Sequence, residues 1–240
     1  MTDRQAKILD TIIREYVKTA EPVSSAWLAE ECGFDCSPAT LRAEMNTLEE
    51  EGYLQQPHTS AGRIPTDQAY RSFVNNLLAE KQSELPEKDK QLIDRTITPA
   101  KDNPYQLSHN LAKTIAQLTD QLAISGIVDT NEFFKSGFNN IFSSPEFQLG
   151  REWGQFGSLF DEFEDFYRAL LGDIPDDGVT IYIGEETPAE ETQDESVIIT
   201  RYPLPNGLEG LSAVIGPTRM RYGRNLAVLK YINGKMKRLE

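Results

Sequence analysis

The segment from Ser37 to Thr66 constrains the fold of this 240-residue chain more than any other. Ser37 and Pro38 are typical of a helix start, because a serine hydroxyl accepts from a free backbone N–H and proline lacks the N–H that the first helical position leaves unused. Apolar residues then recur at helical spacing: Leu41, Met45 and Leu48. This pattern predicts a helix that has one buried face and ends at Gly52.

The sequence after this helix is typical of a short hairpin. Residues 53–56 predict a strand, 57–62 a polar tip and 63–65 a return strand. Further helices are predicted over 3–19, 24–31 and 66–79, and residues 21–23 are expected to pair briefly with the hairpin. Three helices followed by a hairpin are the elements of a winged helix-turn-helix, in which the third helix enters the major groove of DNA.

The outer face of the third helix supplies candidate base contacts. Asn46 can read adenine and Arg42 can read guanine through paired hydrogen bonds, while Ala39 and Ala43 allow close approach and contact with a thymine methyl group. Hydroxyl groups placed for phosphate contacts belong to Ser37, Thr40 and Thr47. The alternative is an ordinary capped helix in a helical domain.

The hairpin tip supplies a second set of candidates. Gly62 permits close approach of the backbone, and Arg63 or His58 can enter a narrow groove. The candidate DNA-binding residues at the tip are His58, Thr59, Ser60, Gly62 and Arg63. A solvated hairpin tip without a ligand is the alternative.

The charge of the chain opposes broad electrostatic binding to nucleic acid or to an anionic membrane. The net charge is −14, and residues 1–80 carry seven Lys or Arg against thirteen Asp or Glu. The basic patch usual in DNA-binding domains is therefore absent. We expect specific binding to depend on base contacts, with a shallow salt dependence because few phosphates are neutralised.

No set of residues predicts a catalytic or metal site. Cys32 and Cys36 are four residues apart, but a zinc site needs about four ligands and the two histidines, His58 and His109, are distant in sequence. Glu49 to Glu51 are interpreted as a solvated helix end. Glu185, Glu186 and Asp194 form an acidic turn set without a nucleophile or a histidine beside it. We expect no enzyme activity, no cofactor and no metal.

The same features bear on the compartment. Two cysteines give no disulfide framework, which fits a reducing compartment. The first residues lack a signal pattern, and no apolar run approaches the ~20 residues needed to cross a bilayer. We expect a cytoplasmic protein without membrane contact.

The second half predicts an α+β domain after a linker. Residues 79–104 are charged and contain prolines, which indicates a linker with at most one short helix at 87–97. Helices are predicted over 105–124, 156–170 and 222–239, and antiparallel strands over 179–183, 196–203 and 210–215. The Phe-rich helix 156–170 is either core or a dimer face. The connector 216–220 either binds an anion or pairs Arg219 with a local carboxylate.

Residues 1–78 resemble the DNA-binding domain of the HrcA family of bacterial heat-shock repressors. The matching runs are 21–25 (EPVSS), 37–42 (SPATLR), 44–45 (EM), 48–50 (LEE), 52–54 (GYL) and 56–66 (QPHTSAGRIPT). The last run is long and chemically mixed, so it is far more specific than a general helix-turn-helix pattern.

Residues 105–240 resemble the GAF-like effector domain of the same family, in a reduced form. The matching runs are 144–147 (SPEF), 184–186 (GEE), 193–194 (QD) and 214–220 (VIGPTRM). Family members are longer, and the missing part, which includes an inserted dimerisation domain, falls between Ile127 and Phe134. The resemblance implies domains at 1–78 and 105–240, joined by the linker 79–104.

The resemblance also implies a function. It implies a homodimeric repressor that binds an inverted-repeat operator in double-stranded DNA upstream of chaperone genes, with the GroE chaperonin as a partner that keeps it competent to bind. Two alternatives remain open: a regulator that senses a small molecule through the GAF-like domain, and an interaction module that does not bind DNA.

Overall fold

The computed structural model describes residues 1–31, 33–79, 84–142, 178–187 and 195–239. The chain forms two compact units, Met1–Lys81 and Gln82–Glu240. The Phe-rich segment 156–170, Cys32, Asp194 and the run 144–147 lie outside the described residues, so the predictions made for them stay predictions.

The first unit contains four helices and a two-stranded hairpin. The helices are α1 (Asp3–Thr19), α2 (Ser25–Glu31), α3 (Pro38–Glu50) and α4 (Asp67–Ala79), and strands β1 (Leu54–Gln55) and β2 (Ile64–Pro65) lie between α3 and α4. The strands pair antiparallel, with Leu54 opposite Pro65 and Gln55 opposite Ile64. The predicted order of elements in this part of the chain is therefore present.

Apolar faces of the helices form the core of this unit. Side chains with almost no exposed surface come from each of the four helices: Ile8, Ile12, Leu28, Leu41, Leu48, Tyr70 and Val74. Thr66 fixes the start of α4, since its hydroxyl accepts from the backbone N–H of Ala69 and donates to the carbonyl of Gly52 at 2.7 Å. The hairpin and α4 are thus tied to the end of α3.

The second unit is a mixed α+β domain with an antiparallel sheet, consistent with a GAF-like domain. Within the part of the second unit that the structure describes, the helices are α5 (Glu87–Ala100), α6 (Pro104–Thr119), α7 (Phe138–Phe142) and α8 (Tyr222–Met236). Its strands are β3 (Leu122–Ile127), β4 (Glu132–Ser136), β5 (Val179–Ile183), β6 (Glu195–Pro203) and β7 (Glu209–Pro217), arranged in the order β4-β3-β7-β6-β5. Helix α6 packs on β3 and β4, α8 packs on β6, and the two helices contact each other.

The three strands predicted at 179–183, 196–203 and 210–215 correspond to β5, β6 and β7, and both of their pairings are antiparallel. The prediction of a helix over 105–124 is wrong at its end, because α6 stops at Thr119 and Leu122 begins β3. Asp120 terminates the helix in a left-handed conformation, with φ at 55°. All six residues of β3 are buried, so the strand lacks the alternation that would distinguish it from a continuing apolar helix face.

The segment predicted as a linker, 79–104, contains α5, a 14-residue helix that packs on α6 within the second unit. Its inner face buries Ile93 and Ile97. Its charged residues reach α8, since Asp89 lies 3.1 Å from Arg224 and Asp94 lies 2.9 Å from Lys235. Two carboxylates of this segment thus form ion pairs with α8, and the helix belongs to the second unit rather than to a linker.

Among the described residues, no helix has the length and apolar character needed to cross a membrane.

Candidate nucleic-acid interface

Helix α3 presents a small and polar face to solvent. Ser37 caps it, because its Oγ accepts from the backbone N–H of Thr40 at 3.2 Å, and Pro38 occupies the first turn. Leu41, Met45 and Leu48 face the core. Ala39, Ala43 and Asn46 are exposed on the opposite side, and Arg42 is exposed at its flank.

The hydroxyl residues of α3 have local partners. Ser37 Oγ and Thr40 Oγ1 lie 3.0 Å apart, and Thr47 Oγ1 donates to the carbonyl of Ala43 at 3.2 Å. Ser37 is exposed, whereas Thr40 and Thr47 are half-buried. These groups support the helix, and their contact with phosphate stays a prediction.

The hairpin tip has a defined shape. Gln56 Nε2 donates to the backbone carbonyls of Thr59, at 3.2 Å, and Ala61, at 2.9 Å. A turn bond from the N–H of Ala61 to the carbonyl of His58, at 2.8 Å, closes the loop. His58, Thr59 and Ser60 remain exposed at the end. Gln56 was absent from the predicted site because its contacts are to backbone atoms, which a sequence pattern does not reveal.

Gly62 makes a close backbone contact, but within the protein. A Cβ at this position would lie 2.3 Å from the carbonyl oxygen of Val23, which is closer than packed atoms can approach. Val23 and Arg63 exchange both backbone hydrogen bonds, at 2.9 and 2.8 Å. The predicted pairing of residues 21–23 with the hairpin is therefore confirmed, and it gives glycine a structural reason at position 62.

Arg63 lies against α3 rather than extending from the tip. Its Nη2 donates to Asn46 Oδ1 at 3.0 Å and lies 2.8 Å from Glu49 Oε2. Only 14% of the Arg63 side chain is exposed, and its enclosed Nε donates to none of the described residues. In this conformation a carboxylate already neutralises the arginine that was predicted to enter a groove.

A cleft of about 360 Å³ separates α3 from the hairpin tip. The predicted residues that line it are Arg42, Asn46, Thr59, Ser60, Gly62 and Arg63. Ser24, Ser25 and Gln56 also line it and were not predicted, because the two serines lie at the start of α2 and Gln56 lies inside the hairpin. The remaining predicted residues lie outside the cleft lining: Ser37, Ala39, Thr40, Ala43, Thr47 and His58.

Most of the positive charge of the first unit is neutralised locally. Arg4 pairs with Glu44 at 3.5 Å, Arg14 with Asp10 at 2.7 Å, and Lys18 with Glu15 at 3.8 Å. Arg42 is exposed and forms no ion pair with any residue that the structure describes. The face formed by α3 and the hairpin thus presents Arg42 as its available cation, together with neutral hydrogen-bonding groups.

The other candidate sites have simpler roles. Glu186 accepts a hydrogen bond from the backbone N–H of Ile183 at 2.9 Å, so this acidic residue supports a turn. Residues 218–221 connect β7 to α8, and the Tyr222 hydroxyl donates to the Thr218 carbonyl at 2.6 Å. Cys36 is a half-buried free thiol, and the described residues contain no acidic, histidine or cysteine cluster able to hold a metal ion.

Comparison with protein families gives a match to the HrcA protein C terminal domain over residues 59–226. Three curated relatives each bear the name heat-inducible transcription repressor HrcA. The relative from Natranaerobius thermophilus is 29% identical, with 97% of this chain and 95% of that protein covered. The relative from Acetivibrio thermocellus is 28% identical, with 99% of this chain and 95% of that protein covered. The relative from Clostridioides difficile is 25% identical, with 97% of this chain and 98% of that protein covered.

The alignment with the Natranaerobius relative extends over 329 positions, whereas this chain has 240 residues, so the relative contains residues with no counterpart here. The part missing from this chain is predicted to fall between Ile127 and Phe134. In the structure these residues join β3 directly to β4 as a hairpin, with Asn131 in a left-handed turn conformation.

A crystal structure described as that of a hypothetical protein, at 2.2 Å resolution, has the same fold. Its TM-score is 0.82 at 19% identity, with 100% of this chain and 98% of that chain covered. The likeness extends over both units and concerns the fold alone.

Proposed function

The chain belongs to the HrcA family, and we propose that it is a sequence-specific, DNA-binding transcription repressor of heat-shock genes. In this proposal the first unit is a winged helix-turn-helix, with α3 as the recognition helix and the hairpin as the wing. The observation that carries it is the exposed face of Ala39, Arg42, Ala43 and Asn46 beside a hairpin held in place by Val23 and Arg63.

We assign base reading to α3. Asn46 contacts adenine, Arg42 contacts guanine, and the two alanines let the helix approach the base edges. Ser37, Thr40 and Thr47 contact phosphate from the helix, while His58, Thr59 and Ser60 contact the backbone or minor groove from the wing. We assign Gly62 and Arg63 to the support of the wing, because both already have partners within the protein.

The low positive charge of the interface supports a particular mode of binding. With Arg42 as the available cation, each half-site neutralises few phosphates, and affinity comes from base contacts and from two half-sites bound together. We propose a homodimer on an inverted repeat, since a two-fold symmetric protein matches a two-fold symmetric site. We also propose that the GroE chaperonin assists the repressor, as the family resemblance implies.

Fluorescence anisotropy tests this function with three duplexes: the inverted repeat that precedes chaperone genes, one half-site and a scrambled sequence. We expect preference for the full repeat, and a salt slope shallower than that of a repressor that neutralises about six to ten phosphates. Equal weak binding to all three duplexes would refute the proposed function. Adding GroE should raise the active fraction without changing sequence preference.

Arg42→Ala and Arg14→Ala form a matched pair of variants in this assay. Both remove one exposed arginine, but Arg14 lies on α1 and pairs with Asp10. We expect Arg42→Ala to weaken binding to the repeat by about 1–3 kcal/mol and to relax preference at one base pair per half-site. Arg14→Ala should leave preference unchanged, and equal effects of the two variants would remove Arg42 from the interface.

Ligand sensing by the second unit is a second candidate, supported by a cavity of about 270 Å³ beside the β6–β7 turn. Its lining combines Lys101 and Asp102 with apolar groups such as Leu204 and Met236. A metabolite that fills it should raise the unfolding temperature of the protein, because binding to the native state stabilises that state.

A further inference from the structure

The contact between Arg63 and α3 fixes the direction of a side-chain amide. Arg63 Nη2 lies 3.0 Å from one terminal atom of Asn46. A guanidinium group carries only donors, so the Asn46 atom that faces it must be the oxygen rather than the nitrogen. The hairpin therefore determines which side of the Asn46 amide accepts hydrogen bonds and which side donates them.

Asn46 keeps the groups that a base contact needs. Its Oδ1 has two lone pairs, and Arg63 takes one of them. The second lone pair and the Nδ2 hydrogens stay available, since Asn46 is exposed. Adenine presents an N6 donor beside an N7 acceptor in the major groove, so reading it requires the acceptor and donor of the amide in one fixed order. An amide turned by 180° would present them in the opposite order.

Glu49 holds Arg63 in this arrangement. Its Oε2 lies 2.8 Å from the same Nη2, and 34% of its side chain is exposed. Asn46 and Glu49 are three residues apart and lie next to each other on α3. The ion pair also neutralises Arg63, which reduces its attraction for phosphate.

We infer that Arg63 is a positioning residue for base selectivity: it holds the Asn46 amide in the orientation that reads adenine, and Glu49 holds Arg63, without contact between Arg63 and DNA. This inference rests on the proposed function. It differs from the sequence-based interpretation of Arg63 as a residue that enters a DNA groove.

Selection of duplexes from a randomised library tests the inference, with full-length wild type and Arg63→Met compared. Methionine keeps much of the side-chain length but cannot donate. We expect preference at one base pair per half-site to fall about tenfold, with preference elsewhere and the salt slope unchanged. A uniform loss of affinity with a salt slope reduced by about one would mean that Arg63 binds phosphate, and would overturn the inference.

A double-mutant cycle with Asn46→Ala gives the decisive comparison. If Arg63 acts through Asn46, adding Arg63→Met to Asn46→Ala should cause no further loss of selectivity. Independent, additive effects would overturn the inference. Circular dichroism and urea unfolding establish that each variant is folded before selection.

Glu49→Ala supplies a second route should Arg63→Met fail to fold. It removes the carboxylate that fixes Arg63 and leaves every proposed DNA contact in place. Preference should fall at the same base pair, and unchanged preference would overturn the inference. If the wild type enriches no sequence, the proposed function and this inference are both overturned. If the wild type enriches a sequence and Arg63→Met enriches the same one with the same base preferences, the inference alone is overturned.

Discussion

Arg224→Ala should destabilise the second unit strongly, because Arg224 joins three helices. Its Nη1 lies 3.1 Å from Asp89 Oδ2 on α5, and its Nε donates to the Leu118 carbonyl at the end of α6, at 2.6 Å. Asp89 is enclosed, with 7% of its side chain exposed. The Asp89 Oδ2 atom accepts no well-aligned hydrogen bond from the described residues, so its compensation comes mainly from the charge of Arg224.

The expected loss is about 3 kcal/mol. Removing one partner of a buried ion pair costs about 3–5 kcal/mol, and the lower end applies because 32% of the Arg224 side chain is open to water. Arg221→Ala is the matched control, three residues earlier in the chain. Arg221 lies 4.0 Å from Asp120, and 63% and 74% of the two side chains are exposed, so its loss should cost less than about 1 kcal/mol.

Urea unfolding followed by circular dichroism measures both variants, with the denaturant slope checked for constancy. Asp89→Asn combined with Arg224→Met should recover part of the lost stability, because no uncompensated charge then remains buried. Equal destabilisation by Arg224→Ala and Arg221→Ala would refute the reasoning, as would a double variant less stable than Arg224→Ala.

Two further substitutions each test one contact, Tyr202→Phe in the second unit and Gly62→Ala in the first. Tyr202→Phe should cost about 1–2 kcal/mol, because the buried Tyr202 hydroxyl lies 3.1 Å from Ser125 Oγ and 2.9 Å from Ser212 Oγ. Burial raises the pKa of Tyr202 above 10.0, so this tyrosine ionises in the unfolded chain at a lower pH than in the folded protein. The wild type should therefore lose stability as the pH rises above 10.0. Its urea unfolding midpoint should fall over this range by more than that of Tyr202→Phe. Gly62→Ala should destabilise the first unit by about 1–3 kcal/mol and abolish operator binding, because the added Cβ would overlap the Val23 carbonyl. The same unfolding and anisotropy assays include Ser60→Ala as a control, which changes the exposed tip and should leave folding unchanged. A Gly62→Ala variant as stable as the wild type would contradict this contact.

Elements with a local signal were predictable from the sequence. Helix α3 combines a serine cap, a proline at its start and a regular apolar face, and the structure contains each of these. Strands β5, β6 and β7 alternate or carry β-branched residues between turn residues, and their predicted positions agree with the structure within two residues. In each case a few adjacent residues determine the backbone conformation, so the pattern is readable without knowledge of the fold.

Elements determined by distant contacts were not predictable in this way. Strand β3 continues the apolar spacing of α6, so the spacing alone does not show where the helix ends. Asp120 ends it in a left-handed conformation that an aspartate does not predict. Helix α5 has the composition of a linker, and only the fold shows that two of its carboxylates pair with Arg224 and Lys235. These partners lie more than a hundred residues later in the chain. The charge of α5 and the apolar spacing of β3 are visible in the sequence. Which secondary structure they form depends on the distant residues that they contact in the fold.

The candidate interface follows the same division. Exposure of Arg42 and Asn46 follows from helical spacing, since Asn46 lies on the side away from Leu41, Met45 and Leu48 and Arg42 lies on the flank of that side. The contacts of Arg63 do not follow from local spacing, because the hairpin must first fold back on α3 before Asn46 and Glu49 become its partners. An acidic unit with one available arginine on this face cannot obtain selectivity from charge, as charge attracts every sequence alike. In the proposed complex, the fixed direction of the Asn46 amide therefore adds selectivity, whereas another cation would add only affinity that is independent of sequence.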